Sequence, residues 1–146
     1  MTQDISTNDT AYKQFIEQAT TTKLVWGLKN KNGWANSHSA TTEDVTVIPF
    51  WSDKTLARAS AKDEWKSYLP VHIPLAEFLE SWCMEMAEED ILMGVNWDAN
   101  MHGAESGAAQ VALDILNQLN SMAANISLTN YATINDFITA INEIVD

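Results

Sequence analysis

The sequence predicts an α+β fold, a mixed and largely antiparallel five-stranded sheet with packed helices. Three observations predict it: apolar residues recur at helical spacing at both ends of the chain and in its middle, short β-rich runs bounded by turn residues lie between, and an Asn-Gly pair marks a tight hairpin. With 146 residues, the natural reading is one domain, 1–146, able to bury a core without a covalent staple.

The elements follow in the order α-β-β-β-α-β-α-β-α-α. Ser6-Thr7-Asn8-Asp9 fits a capping box, and Tyr12, Phe15, Ile16 and Ala19 follow at helical spacing, so a helix is expected over about residues 7–21. Leu24 to Leu28 reads as a strand, Asn30-Lys31-Asn32-Gly33 as the hairpin turn and Trp34 to Ser37 as the return strand. Val45 to Trp51 reads as a third strand, and Pro49, which has no amide proton, should mark an edge, a bulge or the strand end. Ser52 can cap a second helix over about residues 53–66. Val71-His72-Ile73 is a short fourth strand. Pro74 then suits the first turn of a third helix, whose apolar face is Leu75, Phe78, Leu79, Trp82 and Met86. Ile91 to Trp97 makes the fifth strand. Two helices close the chain, over residues 107–123 and from the Thr133-Ile134-Asn135-Asp136 box onward, the last with the stripe Ile134, Phe137, Ile138, Ile141 and Val145.

The formal charge is −12, and all eight basic residues lie at or before Lys66. The second half therefore carries acids alone. Such a surface disfavours nucleic acid, which binds by exchanging condensed counterions for Lys and Arg. The plain reading of the charge is solubility, and the specific one is steering of a basic protein partner. The start, Met1-Thr2-Gln3-Asp4-Ile5-Ser6, lacks the basic and apolar regions of a signal peptide, and no apolar run is long enough to span a bilayer. With Cys83 the only cysteine, the expectation is a cytoplasmic protein without membrane contact.

Several strings occur in a fixed order: Tyr12-Lys13-Gln14-Phe15, Val25-Trp26-Gly27-Leu28, Gly33-Trp34-Ala35, Ile48-Pro49-Phe50-Trp51-Ser52, Ile73-Pro74-Leu75-Ala76-Glu77-Phe78-Leu79, Trp82 and Gly94-Val95-Asn96-Trp97. Together they resemble a small bacterial family, the domain of unknown function 2750 family. The resemblance covers about residues 12–110 as a family-like core and leaves about 120–146 as a C-terminal helical extension. It implies a compact bacterial cytoplasmic domain and supplies no catalytic residues to carry over. Small acidic bacterial domains of this kind are often immunity proteins that neutralise a toxin.

No phosphate loop, dinucleotide fingerprint, zinc helix, nucleophile elbow or Cys-x-x-Cys pair occurs, so no catalytic residue, metal site or cofactor is expected, and the chain is read as non-enzymatic. Asp98 to Gly103 resembles the start of a calcium loop, but its twelfth position is Ala109 instead of Glu, and a polar turn explains the same residues. Cys83 reads as an inert buried thiol, and His72 as a surface or packing residue. Lys54, Arg58, Lys62 and Lys66 stand at successive i+4 positions, a ridge expected to face the acidic third helix of the same molecule. Trp26, Trp82 and Trp97 read as core. Trp34 and Trp51, at strand ends, are the two expected near the surface.

The leading expectation is a protein-binding domain, in its sharper form an immunity-type inhibitor of a toxin with a basic surface. Its partner-binding residues would be Glu77, Glu80, Glu88, Glu89, Asp90, Trp34 and Trp51. Two alternatives stand beside it: a small-molecule binder or enzyme with a pocket of Trp34, Trp51 and His72, and a homo-oligomer joined through residues 107–145.

Overall fold

The computed structural model describes residues 2–39, 43–98 and 103–145. The first helix, α1 (Thr2–Thr22), begins before the string read as its cap, which lies inside its opening turns. At its other end the hydroxyls of Thr20, Thr21 and Thr22 bond back to carbonyls at Ile16, Glu17 and Gln18, and Lys23 in the left-handed region (φ 61°) stops it.

Seven strands follow where five were expected: β1 (Leu24–Asn30), β2 (Gly33–Trp34), β3 (Ser37–His38), β4 (Thr46–Phe50), β5 (Leu69–Pro74), β6 (Leu92–Val95) and β7 (Ala104–Gly107). They form two sheets, ordered β2-β1-β5 and β3-β4-β6-β7. Every pair is antiparallel except β4 with β6. The extra strands arise in two places. The expected return strand breaks after Trp34, so that β2 pairs with β1 while β3 crosses to β4. Between the Asp98–Gly103 string read as a polar turn and the helix expected from residue 107 lies β7, where no strand was read. Reciprocal bonds between Trp26 and Trp51, at 2.7 and 2.8 Å, join the two sheets.

Pro49 sits at that junction. The Phe50 carbonyl accepts from Asn96 on the β6 side, so alternation turns the Pro49 nitrogen the other way. There β3 has already ended at the Ser37–Val47 pair and β1 is met only at Trp51. No neighbouring strand asks this position for a donor.

Helix α2 (Lys54–Ala59) is capped by Asp53, whose carboxylate accepts from the Thr55 amide at 2.8 Å; Ser52 is not the cap. It ends at Ala59, short of the expected residue 66, and a 3₁₀ turn, Asp63–Trp65, swings Trp65 edge-on to Trp51. A continuous helical rod spans 75–89: α3 (Leu75–Glu77), a π turn (Phe78–Cys83) and α4 (Met84–Glu89). Next come α5 (Ala108–Ser121) and α6 (Ile134–Val145).

Helices cover both faces of the joined sheets. On one face α1, helix 75–89, α5 and α6 enclose Phe15, Val25, Phe50, Phe78, Met93 and Ile115. On the other, α2 and the 3₁₀ turn close over Leu28, Val47, Trp51, Trp65 and Trp97. Strand alternation divides the side chains: Phe50 faces the first core and Trp51 the second. Asn96, with φ 46°, breaks that alternation, so Val95 enters the first core and Trp97 the second. The last helix belongs to the first core through Ile134, Phe137 and Ile141. No described helix is long and apolar enough to cross a membrane.

Candidate functional site

Glycines seat two of the tryptophans. A Cβ on Gly27 would lie 2.8 Å from the Trp34 ring, and one on Gly94 or Gly103 would lie 2.5 Å from Trp97. Trp34 rests half-buried on Gly27, edge-on to Trp82 of helix 75–89 at 4.8 Å between ring centroids, with the Lys29 ammonium 5.1 Å from its own ring centre. Across the strands Leu69 stands opposite Lys29, and Lys29 opposite Trp34, so the three share one face, and Leu69 is 70% exposed. Trp51 is placed elsewhere. It is fully buried, and its indole N–H donates to the Trp97 carbonyl at 2.9 Å. The bridge to Trp26 draws it under α2, so it cannot meet a partner, and it forms no pocket with Trp34. His72 lies exposed on the opposite face of the sheet, against the edge of a half-buried Trp26.

Of the expected acidic residues on and just after helix 75–89, Glu77, Glu88, Glu89 and Asp90 are exposed, and so is Glu85, which sequence reasoning did not single out. Glu80 has a different role: its two carboxylate oxygens accept from the amides of Thr129 and Asn130, at 2.9 and 2.6 Å, clamping the segment ahead of α6. The helix ends in a Schellman arrangement, with Asp90 left-handed (φ 58°) and the Ile91 amide donating to the Met86 carbonyl at 2.9 Å. Three carboxylates thus stand at the negative end of a helix dipole, each costing about 0.3–1 kcal/mol.

Beside that end lies an open groove of about 320 Å³, lined by Val45, Met86, Ala87, Ile91, Leu92 and Ala108 among others. Asp90 is the one charged residue in its lining. Glu43 and Asp44, both exposed, directly precede Val45, so acids flank the groove from two separate segments. Sequence reasoning missed this groove. Its residues come from the position before β4, the end of helix 75–89, β6 and the β7–α5 junction, and apart from Asp90 none of them stands out locally from core or turn residues.

A second polar cluster lies at the carboxyl ends of the parallel pair β4–β6. The buried Ser52 hydroxyl donates to the Gln18 side chain. Asn96 accepts from the Ser52 amide at 2.9 Å and donates to the Ala11 carbonyl at 3.3 Å. These bonds tie α1 to the sheets, and the Ser52 hydroxyl is committed to an amide oxygen, which is no general base. Nearby, the Tyr12 hydroxyl donates to Asp114. Burial first, and then the Asp114 carboxylate, push the Tyr12 pKa well up and keep the phenol neutral. Burial alone does the same for the Cys83 thiol.

The basic ridge is not assembled as expected. Because α2 stops at Ala59, Lys62 and Lys66 leave the line of Lys54 and Arg58. The helix packs on β1 and β5, away from helix 75–89, and Lys54 lies over Trp26 at 5.9 Å. Of the α6 stripe, Ile134, Phe137 and Ile141 are buried in the core of the same chain, where α6 packs on α5, and Ile138 is half-buried. In the calcium-like string, Ala99, Asn100, Met101 and His102 lie outside the described residues. Among the described residues, no three His, Cys, Asp or Glu side chains converge to hold a metal ion.

Compared with known proteins, residues 12–115 match a family model described as Protein of unknown function (DUF2750). No curated protein and no solved structure gives a significant match.

Proposed function

The chain belongs to the DUF2750 family, and we propose that this member is a non-catalytic protein-binding domain that recognises a basic partner through helix 75–89. The observation that carries this reading is the exposed set Glu77, Glu85, Glu88, Glu89 and Asp90 on a helix followed by no Lys or Arg anywhere in the chain. Fixed carboxylates of one sign steer a basic protein toward this face. Apolar residues flank the charge, Trp34 with Trp82 along the rod and the groove at its end, where desolvated contacts supply affinity. The finer form of the proposal is an immunity-type inhibitor that covers the basic surface of a bacterial toxin.

The test is affinity capture from a bacterial lysate at low and high salt, with the wild-type chain and with Glu85→Lys/Glu88→Lys/Glu89→Lys side by side. The expected outcome is one stoichiometric basic protein, depleted by salt and lost by the triple variant. Equal capture by the triple variant, or a partner held without salt dependence, would sink the electrostatic reading. Glu80 is left alone because it holds the chain's own backbone.

A further inference from the structure

We propose that the groove at the end of helix 75–89 is the specificity pocket of this surface, and that it takes an apolar side chain of a partner protein carrying Lys or Arg within two residues on either side. The proposal rests on the protein-binding reading above and adds the chemistry of what is bound.

Size comes first. At about 320 Å³ and open to one side, the groove stands at the small end of ligand sites, suited to one bulky side chain. Its walls, Val45, Met86, Ala87, Ile91 and Leu92, offer carbon almost throughout. Charge then decides what flanks the anchor. Glu43 and Asp44 precede one wall, and Glu88, Glu89 and Asp90 stand at the other, where the last carbonyls of the helix add partial negative charge. No base lines the groove. A purely apolar occupant would bring greasy surface against the Asp90 carboxylate and strip some of its water, and would leave the four exposed acids next along the chain without a partner. An acidic occupant would add like charge. A cation on each side of an apolar anchor satisfies both walls, and Lys and Arg can lay their methylene stems along the apolar rim.

Gly107 offers a clean plug. It lines the groove, pairs directly with Leu92 and so would project a side chain to the same face, and a Cβ added there meets nothing within 4 Å. Its backbone, φ −67° and ψ 139°, is open to any residue. Asp44 and Asp90 are both left-handed, φ 62° and 58°, a conformation Asn shares, so Asp44→Asn and Asp90→Asn remove charge and keep the backbone preference.

The experiment is an amide NMR titration of the full ¹⁵N-labelled chain with acetyl-Lys-Gly-Leu-Gly-Lys-amide. Two control peptides replace both Lys by Glu, or Leu by Gly. The expected result is saturable shifts at Val45, Ile91, Leu92, Ala108 and Ala109, with binding at least about threefold weaker for either control. Gly107→Leu should abolish the shifts, the Asp44→Asn/Asp90→Asn double variant should weaken binding about threefold or more, and Gly107→Ser, a good helix cap that leaves space, should retain it. Thermal unfolding of each variant verifies that it is folded. The proposal is overturned if the Glu peptide binds as well, if Gly107→Leu binds unchanged, or if the shifts fall elsewhere. Loss of lysate capture in the Glu85/Glu88/Glu89 variant together with unchanged capture by Gly107→Leu would remove the pocket and leave the acidic helix standing. Peptide binding in the groove with no captured protein would do the reverse.

Discussion

At the residue scale, Gly94 and Gly107 make opposite demands. Trp97 lies flat where a side chain on Gly94 would stand, with its indole N–H held by the Ala104 carbonyl at 2.9 Å. The ring is pinned, so the added methyl has nowhere to go. Gly94→Ala should cost about 1–3 kcal/mol, the range for overpacking a core. Gly107→Ala, with open space around it, should cost under about 1 kcal/mol, mostly as a weaker helix cap. Urea unfolding of the two variants checks the contrast, and equal losses would refute the seating argument. Asp90 makes a different prediction. Asp90→Asn relieves a charge at the helix C-terminus and should stabilise the fold by about 0.3–1 kcal/mol. The same denaturation curves read it, and a gain there with a loss of peptide binding would show stability given up for recognition.

At the scale of elements, α1 is held to the rest of the chain by buried polar bonds as well as by Phe15, Ile16 and Ala19. Tyr12 and Asp114 join it to α5. Because burial and the carboxylate raise the Tyr12 pKa, the folded state keeps its proton longer than the unfolded chain does. The stability this contributes is present below the unfolded tyrosine value, about 10, and is lost as pH rises through the folded value. The buried Cys83 thiol acts with the same sign from about pH 8.5 upward. Unfolding midpoints measured between neutral pH and about pH 11 should therefore fall in the wild type. The fall should be shallower in Tyr12→Phe, and shallower again when Cys83→Ala is added. A profile identical in all three would show that these groups do not govern the alkaline limb.

For the whole molecule, the segment after the family-matched region is part of the core. Ile134, Phe137 and Ile141 are buried, Tyr131 stacks on Phe137 at 4.3 Å, and Glu80 clamps the backbone between α5 and α6. Burying each large apolar side chain contributes about 1.5–3 kcal/mol. Losing three of them removes a large part of the roughly 5–15 kcal/mol that holds a domain. Deleting residues 122–146 should give a chain that unfolds cooperatively only at much lower temperature or aggregates, as circular dichroism and light scattering would show. A truncated chain as stable as the parent would mean that α6 is an ornament on the fold.

The sequence by itself determined the α+β class, the helix periodicities, the hairpin within Asn30-Lys31-Asn32-Gly33 and the separation of charge, because each is a local pattern of neighbours along the chain. It also set Glu77, Glu88 and Glu89 off the apolar face of helix 75–89, since a helical face is legible from spacing alone, whereas the turn of Glu80 to the chain's own backbone is a tertiary contact. Tertiary structure decided what depends on partners far away in the chain. Ser37, the last residue of the expected return strand, went with His38 to β4 instead of β1, and β7 appeared where no strand was read, because a strand of two to four residues exists only through its neighbour. Trp51 moved from the surface to the core when its backbone paired with Trp26, and the basic ridge broke when Trp65 was drawn to Trp51. The groove, too, was beyond local reading. Four elements enclose it, and empty space between side chains has no signature in the order of residues along a chain.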